Sequence, residues 1–142
     1  MTVIKARIAI LTMCWLAACA GGKQAHEPVD ETEIDNVWHQ AKLRGVAFRA
    51  IGQEPGWLLE IKNGAEIVLV TDYGSKRLVM PYVEPVVYPE ERRTQYVLEA
   101  YETMVEISGE PCTDSMSDEK FEVSVTLRQA DSELLGCGRA LF

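Results

Sequence analysis

The sequence predicts a mainly β fold: a small antiparallel β-barrel or sandwich with one short N-terminal helix and one disulfide. Three observations carry this. In residues 121–128, Phe121, Val123, Val125 and Leu127 alternate with Glu122, Ser124, Thr126 and Arg128, the period-2 pattern of a half-buried strand. From Val46 onward the apolar runs are short and divided by turn residues, the spacing of antiparallel sandwiches and barrels. Two cysteines, Cys112 and Cys137, lie in that half of the chain.

The elements follow in order. A short helix is expected over residues 35–43, with Asp35 as its cap, Gly45 as its end, and Trp38 and Leu43 packing on the domain. Strands are then expected at residues 46–51 and 57–61, separated by the turn cluster GQEPG at 52–56. Asn63-Gly64 marks a hairpin turn, because this pair suits positive backbone φ, and residues 66–71 return as a strand. After a turn at 72–75, residues 77–80 form another strand. Residues 81–93, with Pro81, Pro85 and Pro89, form a long loop with extended pieces. Further strands fall at 96–98, 104–107 and 121–128, and the last runs from Leu134 toward Leu141.

The first eighteen residues read differently. Lys5 and Arg7 precede an apolar run at 8–18, too short to span a bilayer as a stable helix. Basic charge before a short apolar core is the layout of a secretory signal. The run ends in Leu16-Ala17-Ala18-Cys19, which resembles a bacterial lipobox. A thiol is needed there to accept a diacylglyceryl group as a thioether, and small residues before it let a peptidase grip extended backbone. Each buried methylene contributes roughly 0.8 kcal/mol, so several chains on Cys19 give a lasting anchor. Cys14 is the rival acceptor, but the large Met13 precedes it. Three alternatives stand beside this reading: an ordinary secreted protein cut nearby, an uncleaved anchor, or a buried N-terminal helix. Ala20, where an Asp would retain the protein at the inner membrane, points to the outer membrane facing the periplasm.

The expected organisation is therefore a signal peptide at 1–18, a lipidated N-terminus and flexible tether at 19–33, and a single β-rich domain at 34–142. The chain's 142 residues suit one domain. Its formal net charge is −8, and removal of residues 1–18, which hold two basic residues and no acid, takes it to −10. Such acidity repels phosphate backbones, so no nucleic-acid partner is expected. It suits a solvated surface, or a cationic partner.

An exported chain folds where thiols oxidise, so Cys112 and Cys137 are expected to form a disulfide. A metal site is the alternative. It would need further ligands, and the histidines, His26 and His39, fall in the tether and the helix. No phosphate loop, dinucleotide fingerprint or zinc motif appears, so no cofactor is implied.

Two stretches resemble a known family. One is Gly52-x-Glu54-Pro55-x-Trp57; the other is Cys112-x-Asp114-x-Met116-Ser117, closed by Gly136-Cys137. Together they resemble an uncharacterised family of bacterial envelope proteins, often lipoproteins, over most of the chain from about Val46. The second motif departs from the family pattern at Ser115, where glycine is expected, and at residues 118–121, where a more basic, proline-containing segment is expected. The resemblance implies a small envelope domain, related to modules found fused to lysozyme-inhibitor or META-type domains. It implies no activity.

Glu54, Trp57 and Asp114 are the candidate ligand corner, an acid beside an aromatic surface. The simpler expectation is a strand-entry turn with Trp57 in the core. Asp114 and Ser117 lack a motif that supplies the base a serine nucleophile needs, so turn capping is their simpler role. A carboxylate pair of Glu54 and Asp114 acting on a glycan would need a spacing that sequence does not give. Two function classes remain. The first is a non-catalytic binding module held on the membrane by lipids on Cys19, an inhibitor of a cationic wall-degrading enzyme being its sharpest version. The second is a structural or stress-related component of an envelope assembly. An enzyme is not expected.

Overall fold

A computed structural model describes residues 31–142. The expected signal peptide, Cys19 and most of the tether therefore lie outside the described residues. The chain opens with helix α1 (Glu31–Leu43). It begins ahead of Asp35, so Asp35 lies inside the helix and not at its cap, and residues 31–33 are helical where a tether was expected. A polar composition without an apolar period does not forbid a helix, since Glu is among the better helix formers.

The C-terminus of α1 closes as the sequence suggests. Gly45 has φ +80°, its N–H donates to Lys42 O at 2.9 Å, and Val46 N–H donates back to Ala41 O at 3.1 Å. These two bonds form a Schellman motif, with the fully buried Ala41 and Val46 as its apolar contact. Leu43 does not pack on the domain: it is 67% exposed, because the helix turns its Trp38 and Ala41 side inward.

Eleven strands follow: β1 (Phe48–Gln53), β2 (Gly56–Lys62), β3 (Glu66–Thr71), β4 (Lys76–Pro81), β5 (Val86–Tyr88), β6 (Arg93–Leu98), β7 (Thr103–Ser108), β8 (Cys112–Thr113), β9 (Lys120–Phe121), β10 (Val123–Gln129) and β11 (Ser132–Ala140). Nine make one antiparallel sheet in the order β4-β3-β2-β1-β11-β10-β7-β6-β5, and β8 and β9 form a separate hairpin. The fold is a single curled sheet, a half-barrel. Strands β4 and β5 are opposite edges of the sheet, yet only residues 82–85 join them. Five residue steps reach at most about 17 Å, whereas the edges of a flat nine-stranded sheet lie about 38 Å apart. The sheet must curl for the chain to connect.

Side-chain alternation decides what the curl encloses. Leu59, Ile61, Ile67, Leu69, Met80, Val105, Val125 and Leu127 fill the concave face, all at most 1% exposed. Full burial of each large one stabilises by roughly 1.5–3 kcal/mol. The β2–β3 turn is a three-residue loop: Ala65 N–H donates to Lys62 O at 3.0 Å, and only Gly64 has positive φ, at +68°. Asn63 stays outside that region, so the pair acts as a turn with a left-handed glycine and not as two positive-φ residues.

On the convex face α1 packs across β1 and β11. Arg49 and Arg139, register partners on those strands, place their guanidinium carbons 5.1 and 4.9 Å from the Trp38 ring. Phe121 adds a tilted ring contact to Trp38 at 5.6 Å. Cation–π contacts of this kind contribute about 0.5–2 kcal/mol, more as water is excluded. No helix among the described residues is long and apolar enough to cross a membrane.

Candidate functional site

The two sequence motifs, about sixty residues apart, meet at one end of the β1–β11 seam. The disulfide brings them there. Cys112 on β8 is bonded to Cys137 on β11, with Cα atoms 5.5 Å apart, and this pins the β8–β9 hairpin onto the sheet. Gln53, at the end of β1, then donates from Nε2 to Asp114 Oδ2 at 3.3 Å and ties the first motif to the second.

Asp114 is 5% exposed, and its partners define its role. Oδ2 accepts from Ser117 N at 3.0 Å and from Ser117 Oγ at 2.6 Å. The Asp114 backbone N–H donates to Glu119 O at 2.9 Å, and Asp118 N–H donates to Asp114 O at 2.9 Å. The carboxylate therefore caps the turn between β8 and β9. A short acidic side chain followed by serine suits this, because its oxygen stands in for a backbone acceptor.

Trp57 lies beneath the motif corner and not on its wall. It is 5% exposed, and its indole N–H donates to Leu135 O at 3.2 Å. Gly52 and Gly136 make room for it. A Cβ on Gly52 would sit 2.5 Å from Trp57 Cε2 and 2.6 Å from Leu135 O. One on Gly136 would sit 2.5 Å from Trp57 Cζ2 and 2.9 Å from the Ile51 carbonyl carbon. The glycines of both motifs are thus the close-packed floor over one tryptophan.

Above that floor lies an open cleft of about 450 Å³. Glu54, Gln53, Thr113, Ser124, Thr126 and Leu135 contribute to its lining. Glu54 is exposed at the turn before β2, while Asp114 is held by its three donors. The cleft therefore offers hydroxyls, an amide, one exposed carboxylate and an apolar patch, the groups of a recognition surface. His39 sits exposed on α1, outside this lining. Ser117 Oγ faces a carboxylate already committed to the turn, so no activated nucleophile is assembled there.

Glu54 and Asp114 thus reach the same cleft and Trp57 supports it from below. Sequence reading missed Gln53, Thr113, Ser124, Thr126 and Leu135. Gln53 was legible as the residue inside the first motif; the others reach the cleft only through the β10–β11 register and the disulfide. Among the described residues, no three of His, Cys, Asp and Glu converge to hold a metal ion. No protein-family model, curated protein or solved structure matches the chain.

Proposed function

We propose that this chain is a lipid-anchored lipoprotein of the bacterial envelope, cut before Cys19, whose β domain is a non-catalytic binding module of the envelope family its motifs resemble. Convergence of both motifs on one open, polar-lined cleft is the observation that carries the binding role. The signal-like start, the lipobox and the Cys112–Cys137 bond support the address, since disulfides persist in oxidising compartments. The committed hydrogen bonds of Asp114 support binding over catalysis.

Two experiments test the two halves. For the address, wild type takes up labelled fatty acid and gains the mass of its acyl chains, while Cys19→Ala does neither; an unlabelled wild type overturns the anchor. For the module, a photo-crosslinking residue is placed at Thr113 or Thr126 in the cleft, or at the exposed Glu90 outside it. Adducts form from the cleft positions and not from Glu90. Identical behaviour at all three sites removes the cleft from consideration.

The exposed Glu54 in a chain of net charge −8 favours one sharper version, an inhibitor of a cationic wall-degrading enzyme. A basic lysozyme then forms a complex with the protein and loses lytic activity, and Glu54→Lys weakens both effects. Full lysis at micromolar excess of the protein sinks that version.

A further inference from the structure

A second cleft lies between α1 and the convex face of β1 to β4, with a volume of about 480 Å³. Its charge is opposite to that of the chain. Arg44, Arg49, Lys62 and Arg77 line it against a single lining carboxylate, Glu60. The protein as a whole carries eight more acids than bases, so four cations in one depression are not a by-product of composition. Sheet register aligns three of them, with Arg49 paired to Glu60 across β1–β2, Lys62 to Glu66 across β2–β3 and Arg77 to Val70 across β3–β4, and the turn after α1 adds Arg44.

The existing partners do not satisfy these groups. Glu60 Oε1 takes both Arg44 Nη2 at 2.8 Å and Arg49 Nη1 at 3.1 Å, so two guanidinium groups share one oxygen. Lys62 is bonded to Glu66 at 2.7 Å on the rim. Arg77 makes no ion pair among the described residues, although it lies near enough to help lower the Glu66 pKa. Arg49 is 9% exposed; beyond Glu60 its Nη1 reaches only Val37 O at 3.4 Å, and its buried Nε has no hydrogen-bond partner among the described residues. Arg139 Nε, over the same Trp38 ring but outside the cleft, is in the same condition, so the case for an anion rests on the cleft's four cations facing one shared carboxylate. Burial lowers the Arg49 pKa, Glu60 opposes that, and Arg44 adds to it. A bound anion would act as Glu60 does, offsetting the cost of burial and the repulsion from Arg44 by direct attraction.

We infer that this cleft binds a phosphate-bearing anion, whose several oxygens are shared among Arg49, Arg44, Lys62 and Arg77. Guanidinium groups match phosphate oxygens through paired N–H donors, and the volume suits a small phosphate ester or a lipid headgroup. The inference stands on the cleft alone and does not require that Cys19 carry lipid.

The test uses the full chain with nanodiscs of phosphatidylcholine, following the arginine Nε–Hε resonances by NMR. Inorganic phosphate is titrated at constant ionic strength set with sodium chloride. The Arg49 resonance shifts and saturates, and Arg77→Gln weakens binding about tenfold, the loss expected for one charge-assisted contact. Arg77 is exposed and unpaired, so this variant keeps the fold. In a second arm the discs contain phosphatidylglycerol and no phosphate is added. A matching shift there assigns the headgroup of an anionic lipid; a shift with phosphate alone assigns a soluble phosphate ester. Either outcome supports the site. No shift in both arms, an unsaturable shift, or wild-type binding by Arg77→Gln overturns it.

Discussion

Gly136→Ala places a methyl group where two unyielding neighbours stand. A Cβ there would lie 2.5 Å from Trp57 Cζ2 and 2.9 Å from the Ile51 carbonyl carbon. Ile51 cannot retreat, because it is the register partner of Cys137 in the β1–β11 ladder. Trp57 can move only by stretching its bond to Leu135 O. The backbone at Gly136 is not left-handed, so the cost is steric and not conformational. Overpacking of this kind costs about 1–3 kcal/mol, and a weakened indole bond adds about 1 kcal/mol, for a total of about 2–4 kcal/mol. Gly138→Ala is the control. Its Cβ would meet the outer edge of the half-buried Phe48 ring at 2.6 Å, which can turn aside, and Ala50 Cβ and Arg49 O at 3.1 Å, which need give only a few tenths of an ångström, so about 1 kcal/mol is expected. Urea unfolding followed by far-UV circular dichroism measures both. Trp57→Phe completes a double-mutant cycle: because the contact is shared, Gly136→Ala and Trp57→Phe together cost at least about 1 kcal/mol less than their sum. Gly138→Ala as damaging as Gly136→Ala, or additivity within about 0.5 kcal/mol, refutes the packing argument.

Other perturbations follow from the same geometry. Replacing Cys112 and Cys137 with serine opens a loop of sequence separation 25 and lowers stability by about 3.5 kcal/mol on the chain-entropy model, read from the urea midpoint of the oxidised and serine forms. Glu60→Ala removes the carboxylate shared by Arg44 and Arg49 and leaves Arg49 buried without a counter-charge; a loss of about 3–5 kcal/mol is expected by thermal or urea unfolding, and one below about 1 kcal/mol contradicts it. The Glu106 carboxyl is held below the ordinary glutamate value of 4.5, chiefly by the Gln95 amide; burial opposes this, and Arg93 and Arg128 add to the lowering. A depressed carboxyl contributes stability that is present above its unfolded-state pKa and lost as pH falls through its folded-state pKa. Glu106→Gln should therefore flatten the acid side of the stability curve below about pH 4.5 and leave its slope near neutrality unchanged; the urea midpoint against pH reports this.

The strands were legible wherever one face was apolar and the other polar. The strand expected over 121–128 is β10 from Val123 on, where Val123, Val125 and Leu127 pack in or against the core; Phe121 instead ends β9 and packs with Trp38 and Cys137 on the convex side, because the β8–β9 hairpin takes it out of the alternation. The start of α1 was not legible, because residues 31–33 are polar and show no apolar period; the helix is held instead by Trp38 and its arginine contacts far along the chain. In the motif cleft, Glu54 and Asp114 could be named, but their meeting depends on the disulfide and on Gln53 reaching across. The cationic cleft was hidden altogether. Its four basic residues are scattered from Arg44 to Arg77 in a chain whose bulk charge is negative; antiparallel register sets Arg49, Lys62 and Arg77 on one face, and the turn after α1 brings Arg44 over it.

The central position of β11 governs how this domain can assemble. The sheet without it falls into two stacks, β4-β3-β2-β1 and β10-β7-β6-β5. The first stack is built of hairpins between neighbours in sequence, and the second nearly so, and such local contacts form early. The seam between the stacks is the last strand in the chain, which must reach back to β1 across most of the domain, with Phe48 pairing Ala140. Neither stack closes a core alone, so cooperative folding waits until residue 140 is available. A chain growing in order from N- to C-terminus therefore completes this sheet only when β11, which carries both Cys137 and the partner of β1, has been made.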